Sequence, residues 1–222
     1  MYIKIHNLSF QYEKAHPILD DCELSIKQGD IVAIIGNSGS GKSTFLRVLA
    51  GLEKSDRGAC YINDEVIFSD QVFTEPHKRK IGMVFQDYAL FPHLKVSDNI
   101  TFGLHKKSKE EKEQTLKEMM MLIALEGKES YYPHELSGGQ QQRVAIARSL
   151  ASKPKVLLLD EPFSNLDAKL KKQIRQDLKE ILRKSEMTCI FATHDIEDAL
   201  DIADDILVLE NHKLIKHDKN YV

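Results

Sequence analysis

One run of residues carries the first chemical signal: Gly36, Asn37, Ser38, Gly39, Ser40, Gly41, Lys42 and Ser43, followed by Thr44. It fits G-x-x-x-x-G-K-[ST], the spacing of a phosphate-binding loop. The residue types follow from that task. Glycines let the backbone turn without Cβ clashes, so successive N–H groups can point inward at phosphate oxygens. Lys42 adds a point charge for β- and γ-phosphates, and the Ser43 hydroxyl can ligate Mg²⁺. A glycine-rich turn without a ligand is the plain alternative. The flanking segments argue against it: the apolar run Ile31–Ile35 reads as a buried strand, and Thr44–Ala50 as a helix. That helix would aim its positive N-terminal end at the same anion.

Other polar groups stand where apolar runs stop. Lys155–Leu159 ends in Asp160-Glu161, Thr188–Ala192 in Thr193-His194-Asp195, and Ile81–Phe85 at Gln86. In an open parallel sheet, ligands bind outside the carboxyl ends of the strands, so these groups would meet at the phosphate loop. The expected chemistry is phosphoryl transfer to water. Asp160 would hold Mg²⁺, with Ser43 and Gln86 as further oxygen donors. Glu161 could orient or deprotonate the attacking water. His194 could contact the γ-phosphate and hold Glu161, and Gln86 could sense the ion or the water. Adjacent acids are ordinarily surface charge and most histidines are structural; the strand ends beside a phosphate loop favour the functional reading.

Leu136-Ser137-Gly138-Gly139-Gln140, followed by Gln141-Gln142-Arg143, makes a second anion site at a helix N-terminus. One γ-phosphate cannot readily occupy two such sites in one small domain. A second subunit resolves this by closing its serine-glycine helix end over the first subunit's nucleotide. Tyr12 has two readings, a platform that stacks on the nucleotide base or a half-exposed tyrosine at a strand end.

The elements that must position these residues are legible in part. Ile3, Ile5 and Phe10 alternate over residues 2–12, and Cys22, Leu24 and Ile26 repeat the pattern, which predicts N-terminal strands. A strand is expected over Ala59–Ile62 after the turn Ser55–Gly58. Lys78-Arg79-Lys80 reads as a solvated basic face. Strand patterning disappears from Asp87 to about Leu150. There Ser108 and Glu111 form a capping box, Leu116, Met119, Met120 and Ile123 follow at helical spacing, and Gln140–Ala151 reads as another helix. The methionines are expected to fill core. This stretch, 87–150, is taken as a helical sub-domain inserted into an α/β core. Further on, Leu170, Ile174, Leu178 and Leu182 predict a one-sided helix over Ala168–Lys184, with a short helix at Ile196–Ala203 and a strand at Asp205–Leu209.

At 222 residues, 42% hydrophobic and 29% charged, the chain is an ordinary globular domain. A net charge of -3 argues against a general nucleic-acid binder. Cys22, Cys60 and Cys189 are too scattered for a metal set or a disulfide framework. No apolar run is long enough to span a bilayer and Met1–Ile5 lacks a signal-peptide pattern. A reduced, cytoplasmic protein is expected.

Taken together, these motifs resemble an ATP-binding cassette (ABC) ATPase across nearly the whole chain, 1–222. Gly36–Thr44 is similar to the Walker A loop, Gln86 to the Q-loop residue and Leu136–Gln140 to the family signature. Val156–Glu161 is similar to Walker B, Ser164-Asn165-Leu166-Asp167 to the D-loop, His194 to the switch histidine, and Tyr12 to the base-stacking aromatic. The resemblance implies a P-loop NTPase core, a mostly parallel sheet with helices on both faces. To it are added N-terminal antiparallel strands and a helical sub-domain. It also implies ATP and Mg²⁺, a head-to-tail dimer (most simply a homodimer), transmembrane permease subunits and a substrate-binding protein. The protein would sit on the inner face of the cell membrane through the permease.

Phe85–Leu94 with Asp98-Asn99-Ile100 looks like bacterial importer ATPases serving ferric iron, oxyanions, polyamines and sugars; ferric iron is the first expectation. Many of these carry a C-terminal regulatory β-domain, which residues up to Val222 do not include, so a short member and a trimmed one both stay open. Leu90, Phe91 and Leu94 are expected either to pack inside the helical region or to form a groove for a permease helix. Competing readings are a soluble ABC-type ATPase acting as a nucleotide-driven switch and a P-loop kinase. The kinase would not need Leu136–Gln140.

Overall fold

The structure, a computed structural model, describes residues 1–164 and 168–217, with side chains for all of these but 168–170. Asp167 and its neighbours Asn165 and Leu166 therefore lie outside the described residues. The chain opens with β1 (Ile3–Glu13), β2 (His16–Ile26) and β3 (Ile31–Ile35), then α1 (Lys42–Ala50). Next come β4 (Arg57–Ile62), β5 (Glu65–Phe68) and β6 (Ile81–Val84), and the helices α2 (Val96–Thr101), α3 (Lys109–Leu122) and α4 (Gly138–Ala151). The last part holds β7 (Val156–Asp160), α5 (Ala168–Lys184), β8 (Thr188–Thr193), α6 (Ile196–Ile202), β9 (Asp205–Glu210) and β10 (Lys213–His217).

Two sheets result. An antiparallel sheet has the order β2-β1-β4-β5, and the central sheet the order β10-β9-β3-β8-β7-β6. The central sheet is parallel from β9 to β6, and β10 pairs antiparallel at its edge. Its strands are apolar on both faces, as a covered parallel sheet requires. The two-residue period splits each strand between two cores. Ile31, Ala33, Leu157, Leu159, Cys189 and Phe191 face α2 to α6. Val32, Ile34, Val156, Leu158, Ile190 and Ala192 share the other core with α1 and the antiparallel sheet. The expected α/β architecture with helices on both faces is therefore present.

A local signal explains the start of α3. Ser108 caps α3, accepting from Glu111 N at 3.2 Å while its own N–H donates to Glu111 Oε2 at 2.9 Å. Met120 is buried and Met119 half-buried against the core.

The basic cluster departs from expectation. Lys78 and Lys80 are exposed, but Arg79 is only 2% exposed. Its Nη1 donates to Val48 O and Leu49 O, both at 2.8 Å, and its Nε to Thr74 O at 2.7 Å. The last carbonyls of a helix lack intrahelical donors and carry the negative end of its dipole, and this guanidinium supplies what they need. Phe68 and Phe73 flank it, with ring centroids at 5.5 and 4.9 Å. Close approach at Gly51 makes room: a Cβ there would stand 2.5 Å from Arg79 Nε.

Candidate active site

The turn from β3 into α1 builds a cradle at the carboxyl edge of the central sheet. Gly41, with φ 105, sits immediately before the first helical residue, Lys42. A Cβ at Gly41 would stand 2.7 Å from Ile18 Cγ2, and one at Gly36 would stand 2.8 Å from Leu209 O. Gly41 thus needs both its left-handed backbone and the space, whereas Gly36 needs only the space.

Lys42 is buried. Its Nζ donates to Gly36 O at 2.8 Å and Asn37 O at 3.1 Å, and stands 3.4 Å from Glu161 Oε1. Next to it, Ser43 Oγ donates to Asp160 Oδ1 at 2.7 Å. Asp160 is the last residue of β7 and is buried. Burial pushes its carboxyl above the ordinary carboxylate range, against the pull of the Ser43 hydrogen bond and the charge of Arg47. Glu161 has φ 46. The left-handed region costs a non-glycine residue about 1–3 kcal/mol, so the surroundings must impose it. Glu161 N donates to Ala192 O at 3.1 Å, and His194 Nδ1 lies 2.8 Å from Glu161 Oε2. An ionised carboxylate only accepts, so this contact places the proton on Nδ1.

Gln86 Nε2 donates to Ser164 Oγ at 3.1 Å, and that hydroxyl donates in turn to Glu161 O at 3.0 Å. These side chains border one open cavity of about 460 Å³, lined also by Ser38, Gly39, Gly41 and Thr44 from the loop and by Ile18 and Tyr12. Tyr12 lies near the end of β1. It is 55% exposed, stands edge-on to Phe10 at 4.8 Å, and its hydroxyl donates to Glu53 Oε1 at 3.4 Å. Sequence reasoning named Ser164 only as the first D-loop residue, not as a lining one, and missed Ile18, which carried no signal.

Ser137 to Gln140 lies elsewhere. Ser137 caps α4, which starts at Gly138, ahead of the expected Gln140. Gln140 N donates to Ser137 Oγ at 3.4 Å and Ser137 N to Gln140 Oε1 at 3.2 Å. That reciprocal cap draws the two glycines into the first turn. Ser137 and Gly138 are exposed, while a Cβ on Gly139 would stand 2.7 Å from Ile174 Cδ1. No residue of 137–140 lines the nucleotide-sized cavity.

Residues 19–164 match the family model described as ABC transporter. The chain belongs to the ABC transporter family. As an ABC ATPase it is 48% identical over 218 residues to a probable sulfate/thiosulfate import ATP-binding protein CysA of Chlorella vulgaris, covering 97% of this chain and 90% of that protein. It is 44% identical over 220 residues to the sulfate/thiosulfate import ATP-binding protein CysA of Halalkalibacterium halodurans, with 96% of this chain and 60% of that one covered. It thus spans about three fifths of this bacterial relative's length. The names these relatives carry do not support ferric iron, which the reading of Phe85–Leu94 put first.

Among solved structures, the ABC ATPase resembles an ATP-binding cassette in a dimeric post-hydrolysis state bound to ADP and Pi. The match has a TM-score of 0.80 at 33% identity and covers 97% of both chains. It also resembles cbiO1 of Clostridium perfringens, part of an ABC transporter complex, with a TM-score of 0.86 at 31% identity, covering 96% and 86% of the two chains. Among the described residues no helix is long and apolar enough to cross a membrane.

Proposed function

We propose that this ABC ATPase hydrolyses ATP in a head-to-tail dimer to drive a membrane permease importing a sulfur oxyanion of the sulfate/thiosulfate class. The observation that carries the hydrolytic part is the joint placement of Lys42, Glu161 and His194 around the phosphate loop, with contacts of 3.4 and 2.8 Å. Lys42 and the loop N–H groups hold the β- and γ-phosphates. Glu161 accepts a proton from a water whose oxygen forms a bond to the γ-phosphorus as the bond to the β-γ bridging oxygen breaks, leaving ADP and phosphate. His194 steadies Glu161 through Nδ1 and turns its other nitrogen toward the γ-phosphate. Tyr12 stacks on the base.

Ser43 Oγ and Asp160 Oδ1, hard oxygen donors 2.7 Å apart, fit a Mg²⁺ ion, and the Gln86 amide is a third candidate. When bound, the ion polarises phosphate oxygens as a Lewis acid. Ser137 to Gln140, which do not line the chain's own cavity, serve the ATP of the partner subunit, and Asp167 keeps the D-loop place that the resemblance gives it. The relatives' names support the oxyanion. The permease, a substrate-binding protein and a place on the inner membrane face come with that reading.

The test pairs two measurements. Glu161→Gln is expected to bind ATP and to accumulate as a dimer on size exclusion with Mg-ATP, while turnover falls by about 10²-fold or more. Normal hydrolysis by this variant would require another base. Co-expressed with its permease, the wild type should support uptake of labelled sulfate or thiosulfate. Uptake of ferric iron instead would overturn the substrate assignment alone.

A further inference from the structure

The side chain of His194 is 51% exposed. Packing therefore does little to aim it, and its direction has to come from its backbone neighbours. Both are tied to one charged cluster built around the buried Asp198 and Arg175. Thr193 Oγ1 donates to Asp198 Oδ2 at 2.8 Å and accepts from Asp195 N at 3.1 Å, so a single hydroxyl spans the His194 peptide. Asp198 is 1% exposed and accepts from Arg175 Nε at 2.6 Å. The same guanidinium donates to Asp201 Oδ2 at 2.9 Å, Asp195 Oδ2 at 3.4 Å and Glu197 Oε2 at 3.5 Å. Lys171 pairs with Asp195 and stands 3.3 Å from Asp198. Asp195 also caps α6, accepting from Glu197 N at 2.9 Å.

Folding stability is a weak reason for such a cluster, since buried ion pairs contribute little net energy over apolar replacements. What a planar, multiply bonded guanidinium supplies is direction. Arg175 stands on α5, the helix that follows β7 and Glu161 in the chain, so one helix anchors the segment carrying the histidine that meets Glu161.

We propose that Arg175 is a positioning residue for ATP hydrolysis: acting through Asp198 and the Thr193 hydroxyl, it fixes the backbone that aims His194 at Glu161. The inference rests on the reading above that His194 takes part in hydrolysis. A positioning residue raises turnover without holding substrate, and its effect vanishes when the group it positions is gone.

The experiment is a double-mutant cycle in the intact protein, with Arg175→Met and Thr193→Val each made alone and with His194→Ala. Single-turnover phosphate release, followed for hours, keeps the residual rate of His194→Ala measurable. Each single variant should lower kcat about tenfold or more, with the KM for ATP within about twofold. In the His194→Ala background, each should change the residual rate by less than about twofold. Losses that multiply undiminished with His194→Ala would overturn the positioning role and leave the catalytic reading standing. Wild-type turnover in His194→Ala would take down the catalytic reading and this inference with it. If Arg175→Met fails to fold, Thr193→Val decides the matter, because it removes the bridging hydroxyl and leaves every ion pair of the cluster in place. An unchanged kcat in folded Thr193→Val overturns the inference.

Discussion

At the scale of single residues, charge placement beside His194 has a consequence for pH. Burial alone would raise the Asp195 carboxyl. The Lys171 hydrogen bond, the Glu197 N–H and the charges of Lys171 and Arg175 outweigh it and hold the group below its ordinary value of 3.8. A depressed carboxyl stabilises the folded state fully above its unfolded pKa and loses that contribution as pH falls through the lower folded value. Asp195→Asn should therefore be less stable than the wild type at pH 6, with the gap closing below about pH 3.8. Urea unfolding at a series of pH values reads the difference. A gap that stays constant on acidification would show that the charge of Asp195 is not its source.

Secondary-structure elements are held at their ends by residues from other elements. The C-terminal carbonyls of α1 depend on Arg79, which precedes β6 by two residues. Arg79→Leu removes a charged donor from buried carbonyls and should cost about 3 kcal/mol. In a domain of this size that corresponds to a fall in Tm of roughly 6–12 °C. The exposed neighbour is the control, and Lys78→Ala should stay within about 0.5 kcal/mol of the wild type. Equal effects from both variants in thermal melts would mean that the buried guanidinium carries no special weight. Helix α4 plays the same part for the segment after Gln86. Arg148 donates to Ala89 O at 2.7 Å and Tyr88 O at 3.0 Å, where both residues hold left-handed backbone, φ 45 and 61. The helix that Ser137 caps thus grips the turn that follows Gln86.

For the whole molecule, the division of labour is spatial. The phosphate-loop cradle lies at one edge of the central sheet, and Ser137 and Gly138 lie exposed at the start of α4, outside the residues that line its cavity. Beyond the turn held by Arg148, Leu90 and Phe91 are half-buried. Leu90 packs against the main core, while Phe91 lies 4.3 Å from the exposed Phe102 and beneath the Arg148 guanidinium at 5.4 Å. Leu90 thus belongs in part to the core, and the Phe91–Phe102 pair is the better candidate for the permease contact. Asn99 shapes this loop by binding Phe91 N and O and the carbonyls of Leu94 and Lys95. Phe91→Glu should keep the melting temperature and ATP binding but lose co-purification with the permease and, with it, transport. Retained co-purification would place docking elsewhere, and a collapsed melting temperature would assign Phe91 to the core.

The sequence by itself determined what short-range pattern controls. A glycine-rich turn after an apolar strand, acids and a histidine at strand ends, and a reciprocal serine cap are written within a few residues, because backbone geometry and helix capping act locally. The long, strongly periodic helix over Ala168–Lys184 was legible for the same reason. Short elements without a clear period, α2, β5 and β10, were not, since pairing and packing partners define them. Only the tertiary structure decided that Arg79 is buried while its lysine neighbours are not, because its partners are carbonyls about 30 residues earlier in the chain. It also joined Gln86 to Ser164, and brought Arg175 to Asp198 and so to the histidine segment. Long-range polar contacts carry no periodic signature; they exist only once the sheet order has folded distant segments together.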